Sequence, residues 1–155
     1  MGRTMPVRSR KMSGFTLIEV MVTVAIVGIL AAIVFPNYTA YVQRSKIVDG
    51  VTKMGDFRSQ MEKYFLDNRR YPTVAGGAVC GVTPTWVVTA ADKFTITCVT
   101  PSDITYTITA DGIPAQGMAG FRYTVDQANV KTTVLAPAGW TKTPGCWVVR
   151  KDGAC

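Results

Sequence analysis

The chain has 155 residues, enough for one globular domain with a modest core and an appended element. Its formal net charge of +7 suggests a nucleic-acid-binding protein, but residues 1–14 carry 4 of the 17 basic residues and none of the 10 acidic ones. The remaining 13 basic and 10 acidic side chains give only +3, and the absence of histidine removes the commonest general base and metal ligand.

An almost wholly apolar run extends from Phe15 to Phe35. As an α-helix it would be about 30 Å long, the thickness of a membrane's hydrocarbon core. Glu19 interrupts the run, and a carboxylate in hydrocarbon is costly unless it has a cationic partner. Ser13 and Gly14 precede the run, whereas a secretory signal peptide carries its small residues after the apolar segment. We predict a membrane span whose basic flank stays in the cytoplasm.

The motif Gly14-Phe15-Thr16-Leu17-Ile18-Glu19, preceded by basic residues, resembles the class III signal of type IV pilins and their pseudopilin relatives. The resemblance implies that residues 1–14 are a leader peptide that prepilin peptidase cleaves after Gly14. It implies that Phe15 is then the N-methylated terminus. Residues 15–35 would serve first as a transmembrane segment and later as filament core, where Glu19 meets the terminal ammonium of a neighbouring subunit.

Gly28 and Pro36 weaken the helical pattern, since glycine is a poor helix former and proline removes a backbone hydrogen bond. One interpretation is that Pro36 ends the span at the membrane surface. The pilin resemblance implies another, in which Gly28 and Pro36 bracket a segment that extends when the subunit passes from lipid into a filament.

Beyond Pro36, apolar residues recur at steps of three and four, which predicts one long helix over residues 15–66. Its later half is expected to pack a domain against this apolar stripe. The stripe consists of Tyr38, Tyr41, Val42, Val48, Val51, Met54, Phe57, Met61, Tyr64 and Phe65.

Polar residues and Pro72 end the helix, and a loop is predicted from Gly76 to Pro84. Four later segments alternate as β-strands do, at residues 94–99, 104–110, 121–125 and 130–134. The predicted fold class is α+β, with the long helix packed against an antiparallel sheet of about four strands within residues 67–155. The Arg-Tyr-Pro sequence at the predicted end of the helix also resembles the helix endings of the pilin family.

Four cysteines, all after the apolar run, fit the oxidising side of a membrane and can pair in three ways. We favour Cys80 with Cys98, tying the loop after the helix to the first strand, and Cys146 with Cys155, closing the C-terminal tail. In the pilin family a bridged C-terminal loop is commonly the exposed, variable edge. No Cys-x-x-Cys pair suggests a metal or redox site, so we expect neither a metal nor a cofactor.

The residues for catalysis are missing. Without histidine there is no Ser/His/Asp or Cys/His set, and neither a phosphate-binding glycine-rich loop nor a close carboxylate pair is evident. We therefore expect that the protein is not an enzyme.

Aromatic and cationic side chains gather near the C-terminus, a mixture that can stack on bases and neutralise phosphates. The resemblance adds that some minor pilins capture DNA in this general way. The alternative is that the tryptophans pack on the sheet and the cations form a solvated edge balanced by Asp152. The residues concerned are Trp140, Lys142, Trp147, Arg150 and Lys151.

The resemblance implies a structural subunit of a type IV pilus, major or minor, that supports adhesion, twitching motility or DNA uptake. Its partners would be other pilin subunits, the pilus assembly machinery, prepilin peptidase, and DNA or a host surface. It would reside in the bacterial inner membrane before assembly and in the extracellular filament afterwards. A DNA-binding minor pilin for competence, a pseudopilin of a type II secretion system and an ordinary single-span protein with a periplasmic domain remain alternatives.

Overall fold

The computed structural model describes residues 14–72, 80 and 92–155. Its first element is one helix, α1, over Leu17–Asn68. The backbone stays helical through Pro36, in agreement with the single long helix expected from the sequence. The rest of the predicted leader before Gly14 and, apart from Cys80, the predicted loop from Gly76 to Pro84 lie outside the described residues.

Thr16 caps the start of α1. Its Oγ1 accepts a hydrogen bond from the backbone N–H of Glu19 at 3.3 Å, which satisfies one of the donors that a helix start leaves unpaired. Thr-x-x-Glu is also the capping-box pattern, and the Glu19 carboxylate in the first turn favours the positive end of the helix dipole. Glu19 therefore contributes to the start of α1, in addition to the assembly role predicted from the sequence.

The end of α1 is closed by Arg69. Its φ of +58° is left-handed, and its N–H donates to the Phe65 carbonyl at 2.7 Å. Asn68 Nδ2 donates to the Tyr64 carbonyl at 3.0 Å. These bonds satisfy carbonyls at the helix C-terminus and place its end two residues beyond the predicted one.

The chain divides into two compact units, one up to Thr39 and one from Ala40 to Cys155. We call the second unit the head. In the first unit the side chains of Phe15–Phe35, which we call the apolar segment, are exposed apart from the half-buried Ala31. An 18-residue window of α1 has a mean hydropathy of 2.7, so by length and composition this helix could cross a membrane.

The head contains one antiparallel sheet with the strand order β1-β2-β3-β4. A short 3₁₀ turn at Pro114–Gln116 separates the second strand from the third. The α+β class and the four-stranded sheet expected from the sequence are confirmed. The strands are β1 at Phe94–Ser102, β2 at Thr105–Gly112, β3 at Arg122–Asp126 and β4 at Lys131–Leu135.

The core lies between one face of α1 and the inner face of the sheet. Ile47, Met54 and Met61 are fully buried at intervals of seven residues, or two helical turns. Every second residue of the two central strands is buried, as the two-residue period of a strand requires. These strand residues are Tyr106, Ile108, Ala110, Tyr123 and Val125.

The predicted apolar stripe of α1 matches the core from Val51 onward and fails before it. Tyr41 is 72% exposed and Val48 is 43% exposed, whereas Ile47, which the stripe omitted, is fully buried. Successive residues turn by about 100° around a helix, so the face that contains Ile47 does not contain its neighbour Val48. Tyr41 is therefore a surface residue of the head.

Two disulfides cross-link the head, Cys80–Cys98 and Cys146–Cys155, which are the pairs favoured from the sequence. Cys80 and Cys98 are both buried, and the Cys80 N–H donates to the Cys98 carbonyl at 3.2 Å. The second bridge closes a nine-residue separation at the surface, where Cys155 is exposed.

Candidate functional site

The C-terminal loop, residues 146–155, is fixed to the sheet by hydrogen bonds. The N–H of buried Val148 donates to Thr133 Oγ1 at 2.9 Å, and its carbonyl accepts from Tyr123 Oη at 2.9 Å. Thr133 donates in turn to the Cys146 carbonyl at 3.0 Å. Burial raises the pKa of Tyr123, which keeps its hydroxyl protonated as a donor. The loop is therefore a fixed platform.

Arg150 and Lys151 stand at the exposed tip of this loop, in a turn that Gly153 closes. The Gly153 N–H donates to the Arg150 carbonyl at 3.1 Å, and its φ is +90°. A β-carbon at Gly153 would lie 2.9 Å from Thr143 Oγ1, so the turn requires glycine. Within the described ranges, neither Arg150 nor Lys151 forms an ion pair.

A cavity of about 400 Å³ opens between the tip of the C-terminal loop and the first residues of α1 within the head. Three cations, one carboxylate and two aromatic rings line it. The carboxylate, on Asp152, accepts a hydrogen bond from the Ala154 N–H at 3.1 Å, so it is engaged within its own loop. The main lining residues are Tyr41, Gln43, Arg44, Trp140, Arg150, Lys151 and Asp152.

Trp140 reaches the cavity from a tight turn. Its N–H donates to the Pro137 carbonyl at 3.2 Å, and Gly139 between them has the positive φ, +83°, that a type II turn places there. The Trp140 ring meets Phe121 edge to face, with centroids 4.9 Å apart. The core of the head thus orients the ring beside the cavity.

Trp147 is not part of the cavity lining. Its Nε1 donates to the Thr124 carbonyl at 2.8 Å, and Lys131 Nζ lies 4.9 Å from its ring centroid, a cation–π distance. Lys142 Nζ donates to the Val134 carbonyl at 3.3 Å, beside β4. The structure therefore divides the five residues singled out near the C-terminus. Trp140, Arg150 and Lys151 line the cavity, whereas Lys142 and Trp147 lie along β3 and β4.

Tyr41 and Arg44 line the cavity and Lys131 contacts Trp147, yet the sequence did not connect these three residues with the C-terminal cluster. Tyr41 and Arg44 are three residues apart on α1 and so share one helix face, which the sequence could have revealed. Their position next to Arg150 depends on how the tail folds back across the sheet, which no local pattern encodes.

The residues predicted for processing and assembly lie in the apolar segment or directly beside it. Phe15 is 80% exposed, and a β-carbon at Gly14 or Gly28 would meet no atom within 4 Å. Glu19 forms no ion pair with any residue that the structure describes. Pro36 lies within α1. The roles of these five residues stay predictions.

Other titratable groups of the head bind one another. Tyr106 Oη donates to Glu62 Oε1 at 2.8 Å, and Tyr71 Oη donates to the same oxygen at 3.3 Å. Burial and then the interaction with Glu62 raise the pKa of Tyr71 and of Tyr106. Lys53 pairs with Asp92, whose hydrogen bond raises the pKa of that lysine. In the described part of the chain, no group of His, Cys, Asp or Glu could hold a metal ion.

Two family models match adjacent parts of the chain. Residues 9–35 match the prokaryotic N-terminal methylation motif. Residues 36–121, more than half of the chain, match the family described as type IV minor pilin ComP, DNA uptake sequence receptor. The chain belongs to the type IV pilin family. The resemblance seen in the motif from Gly14 to Glu19 is thereby confirmed.

Relatives of this pilin have different roles. Type II secretion system core protein G of Aeromonas hydrophila is 40% identical over 70 residues, 45% of this chain and 49% of that protein. Type IV major fimbrial protein FimA of Dichelobacter nodosus is 46% identical over 57 residues, 37% of this chain and 36% of FimA. Fimbrial protein EcpC of Eikenella corrodens is 40% identical over 72 residues, 46% of each. The chain spans half or less of the length of these curated relatives.

Proposed function

We propose that this pilin is a subunit of a type IV pilus, held in the inner membrane by its apolar segment and then assembled into a filament through it. The exposure of nearly every side chain in that segment carries the proposal. Apolar side chains uncovered all round a helix are unfavourable in water, so they need cover from outside the chain. Lipid would supply this cover before assembly, and the helices of other subunits would supply it afterwards.

In this proposal Glu19 pairs with the terminal ammonium of a neighbouring subunit, which is created by cleavage after Gly14. Glu19→Ala should leave the protein in the membrane and out of sheared filaments, as immunoblots of the two fractions would show. Asp56→Ala, which removes an exposed carboxylate of the head, is the matched control and should assemble normally. Normal assembly of Glu19→Ala would contradict the pairing.

Maturation can be tested separately by mass spectrometry of the intact protein. The wild type should lack residues 1–14 and begin at N-methylated Phe15. Replacing Gly14 by alanine or a larger residue should leave the leader attached. A mature wild-type protein that retains its leader would contradict the proposed processing.

We further infer that the head binds DNA, which is the finer role named by the family model over residues 36–121. Four cations, one in β4, one beside it and two at the loop tip, support this role. Among the described residues none of the four forms an ion pair, so their charges are available to phosphates. Trp147 orients Lys131 by its cation–π contact. The four cations are Lys131, Lys142, Arg150 and Lys151.

Salt dependence tests this surface. Four phosphate contacts to duplex DNA would give a plot of log affinity against log salt concentration with a slope of about −3.6. The pair Lys131→Gln and Lys142→Gln should make that slope less steep by about 2, measured by anisotropy of a labelled duplex. Lys63 is an exposed cation on α1, outside the proposed DNA surface, so Lys63→Gln should leave the slope unchanged. An unchanged slope in the double variant would show that Lys131 and Lys142 do not contact DNA phosphates.

A pseudopilin of a type II secretion system is the second candidate, because core protein G of several bacteria is about 40% identical to part of this chain. The same apolar segment would then build a short periplasmic filament. Deletion of the gene discriminates between the two roles. Loss of pili or of DNA uptake supports the pilus subunit, whereas loss of protein secretion with pili intact supports the pseudopilin.

A further inference from the structure

The cavity beside the C-terminal loop is close along the chain to the apolar segment. Tyr41 follows Phe35 by six residues and Arg44 follows it by nine, which as helix corresponds to about 9 and 13 Å of chain. The headgroup layer extends about 5–8 Å beyond each side of a bilayer's hydrocarbon core. When the apolar segment spans a membrane, Tyr41 and Arg44 are therefore within side-chain reach of the headgroups.

The lining of the cavity has the chemistry of the membrane surface. Tyrosine and tryptophan are enriched where hydrocarbon meets water, and Tyr41 and Trp140 form two of its walls. Arginine and lysine bind lipid phosphates, and Arg44, Arg150 and Lys151 contribute three positive charges against one carboxylate.

We propose that this cavity binds the phosphate headgroup of an anionic phospholipid while the subunit is held in the membrane. The inference rests on the proposed membrane-anchored state. Duplex DNA presents its phosphates on a broad rod, which suits the half-buried Lys131 and the exposed Lys142 along β4 better than a recess of about 400 Å³. A single headgroup fits such a recess, and the exposed Tyr41 ring can lie against the glycerol region of the lipid.

The bound lipid would hold the head on the membrane surface until assembly. The subunit must then release the headgroup as its apolar segment leaves the bilayer. Arg150 and Lys151 would be shared, since they line the cavity and also belong to the proposed DNA surface. The head would therefore bind DNA fully only after leaving the membrane.

The test uses the full chain, purified in a nonionic detergent and titrated with phosphatidylglycerol or with phosphatidylcholine, with bound lipids counted by native mass spectrometry. The wild type should prefer phosphatidylglycerol at one site. A basic residue near an anionic surface contributes about fivefold in affinity, so Arg44→Gln should reduce the preference about fivefold. Combining it with Arg150→Gln and Lys151→Gln should reduce it about 100-fold. Asp152→Asn, which keeps the oxygen that accepts the Ala154 hydrogen bond, should increase the preference.

Lys63→Gln and the pair Lys131→Gln with Lys142→Gln are the controls, and both should bind lipid as the wild type does. Co-flotation with liposomes measures membrane insertion in parallel. A triple variant that retains the preference, or a wild type that inserts into membranes without showing any preference, would overturn the lipid site alone. Equal competition by inorganic phosphate would also overturn it, because the cavity would then be a site for free anions. A wild type that does not insert into membranes at all would overturn the membrane-anchored state as well.

Discussion

The helix α1 extends through both the apolar segment and the head, but its side chains are exposed in the first and partly buried in the second. Between Phe15 and Phe35 almost every side chain of α1 is exposed, whereas between Ile47 and Met61 one face is buried against a sheet. A helix that is apolar all round needs cover from outside its own chain, and an amphipathic helix is covered by its own domain. Substitutions in the head should therefore alter its folding stability, and substitutions in the apolar segment should alter its association with lipid or with other subunits.

Met54→Ala should produce the largest change in the head. Met54 is fully buried against the sheet, so truncating it should lower the free energy of unfolding by about 2–5 kcal/mol. Val48→Ala, six residues away on an exposed face of α1, should cost less than about 1 kcal/mol. Urea denaturation followed by circular dichroism measures both. Equal losses in the two variants would mean that α1 does not bury a single face.

The C-terminal disulfide should have the next largest effect. Replacing both Cys146 and Cys155 by serine releases a short closed loop, which should lower the free energy of unfolding by about 2–3 kcal/mol. The variant should also lose the fixed position of Arg150 and bind DNA more weakly. Membrane insertion is the internal control and should not change. A variant with wild-type stability would show that the hydrogen bonds of Val148 suffice to hold the loop.

High pH should destabilise the head. The pKa values of Tyr71, Tyr106 and Lys53 are raised in the folded state, so the stability linked to them is complete below about pH 10 and is lost as the pH rises further. The slope is at most about 1.4 kcal/mol per pH unit for each group. Tyr106→Phe should make the decline shallower in urea denaturation at several pH values. Parallel curves for the variant and the wild type would exclude a contribution from Tyr106.

The helix cap should have the smallest effect, confined to the apolar segment. Thr16→Ala removes the acceptor for the Glu19 N–H and should cost about 1 kcal/mol locally. Amide hydrogen exchange should become faster in the first turn of α1, while unfolding of the head stays unchanged. Thr16→Ser keeps an acceptor and should restore protection. Equal exchange in all three proteins would show that the cap does not stabilise the helix start.

The elements could be predicted because each has its own local signal. The apolar segment was evident from its composition, and the strands were evident from alternation, with bounds within a few residues of those observed. The pairing of the cysteines followed from their positions relative to these elements. The error at Tyr41 and Val48 arose because several three- and four-residue steps fit the same sequence, and only contact with the sheet selects the face with Ile47.

The candidate site was predictable only in part, because its residues come from distant parts of the chain. Composition alone revealed the cations and tryptophans of the tail. The contact of Lys131 with Trp147 and the nearness of Arg44 to Arg150 depend on tertiary packing. Sequence could not separate the tryptophan that borders the cavity from the one that is hydrogen-bonded to the sheet.

The construction of the C-terminal loop has a consequence for evolution. Val148 and Gly153 are fixed by the core and by close packing, but the three residues of the tip between Val149 and Gly153 contribute exposed side chains. Surface substitutions of this kind usually change stability by less than about 0.5 kcal/mol. Substitutions at Arg150, Lys151 and Asp152 can therefore change the charge of the proposed binding surface while the scaffold that presents them keeps its structure.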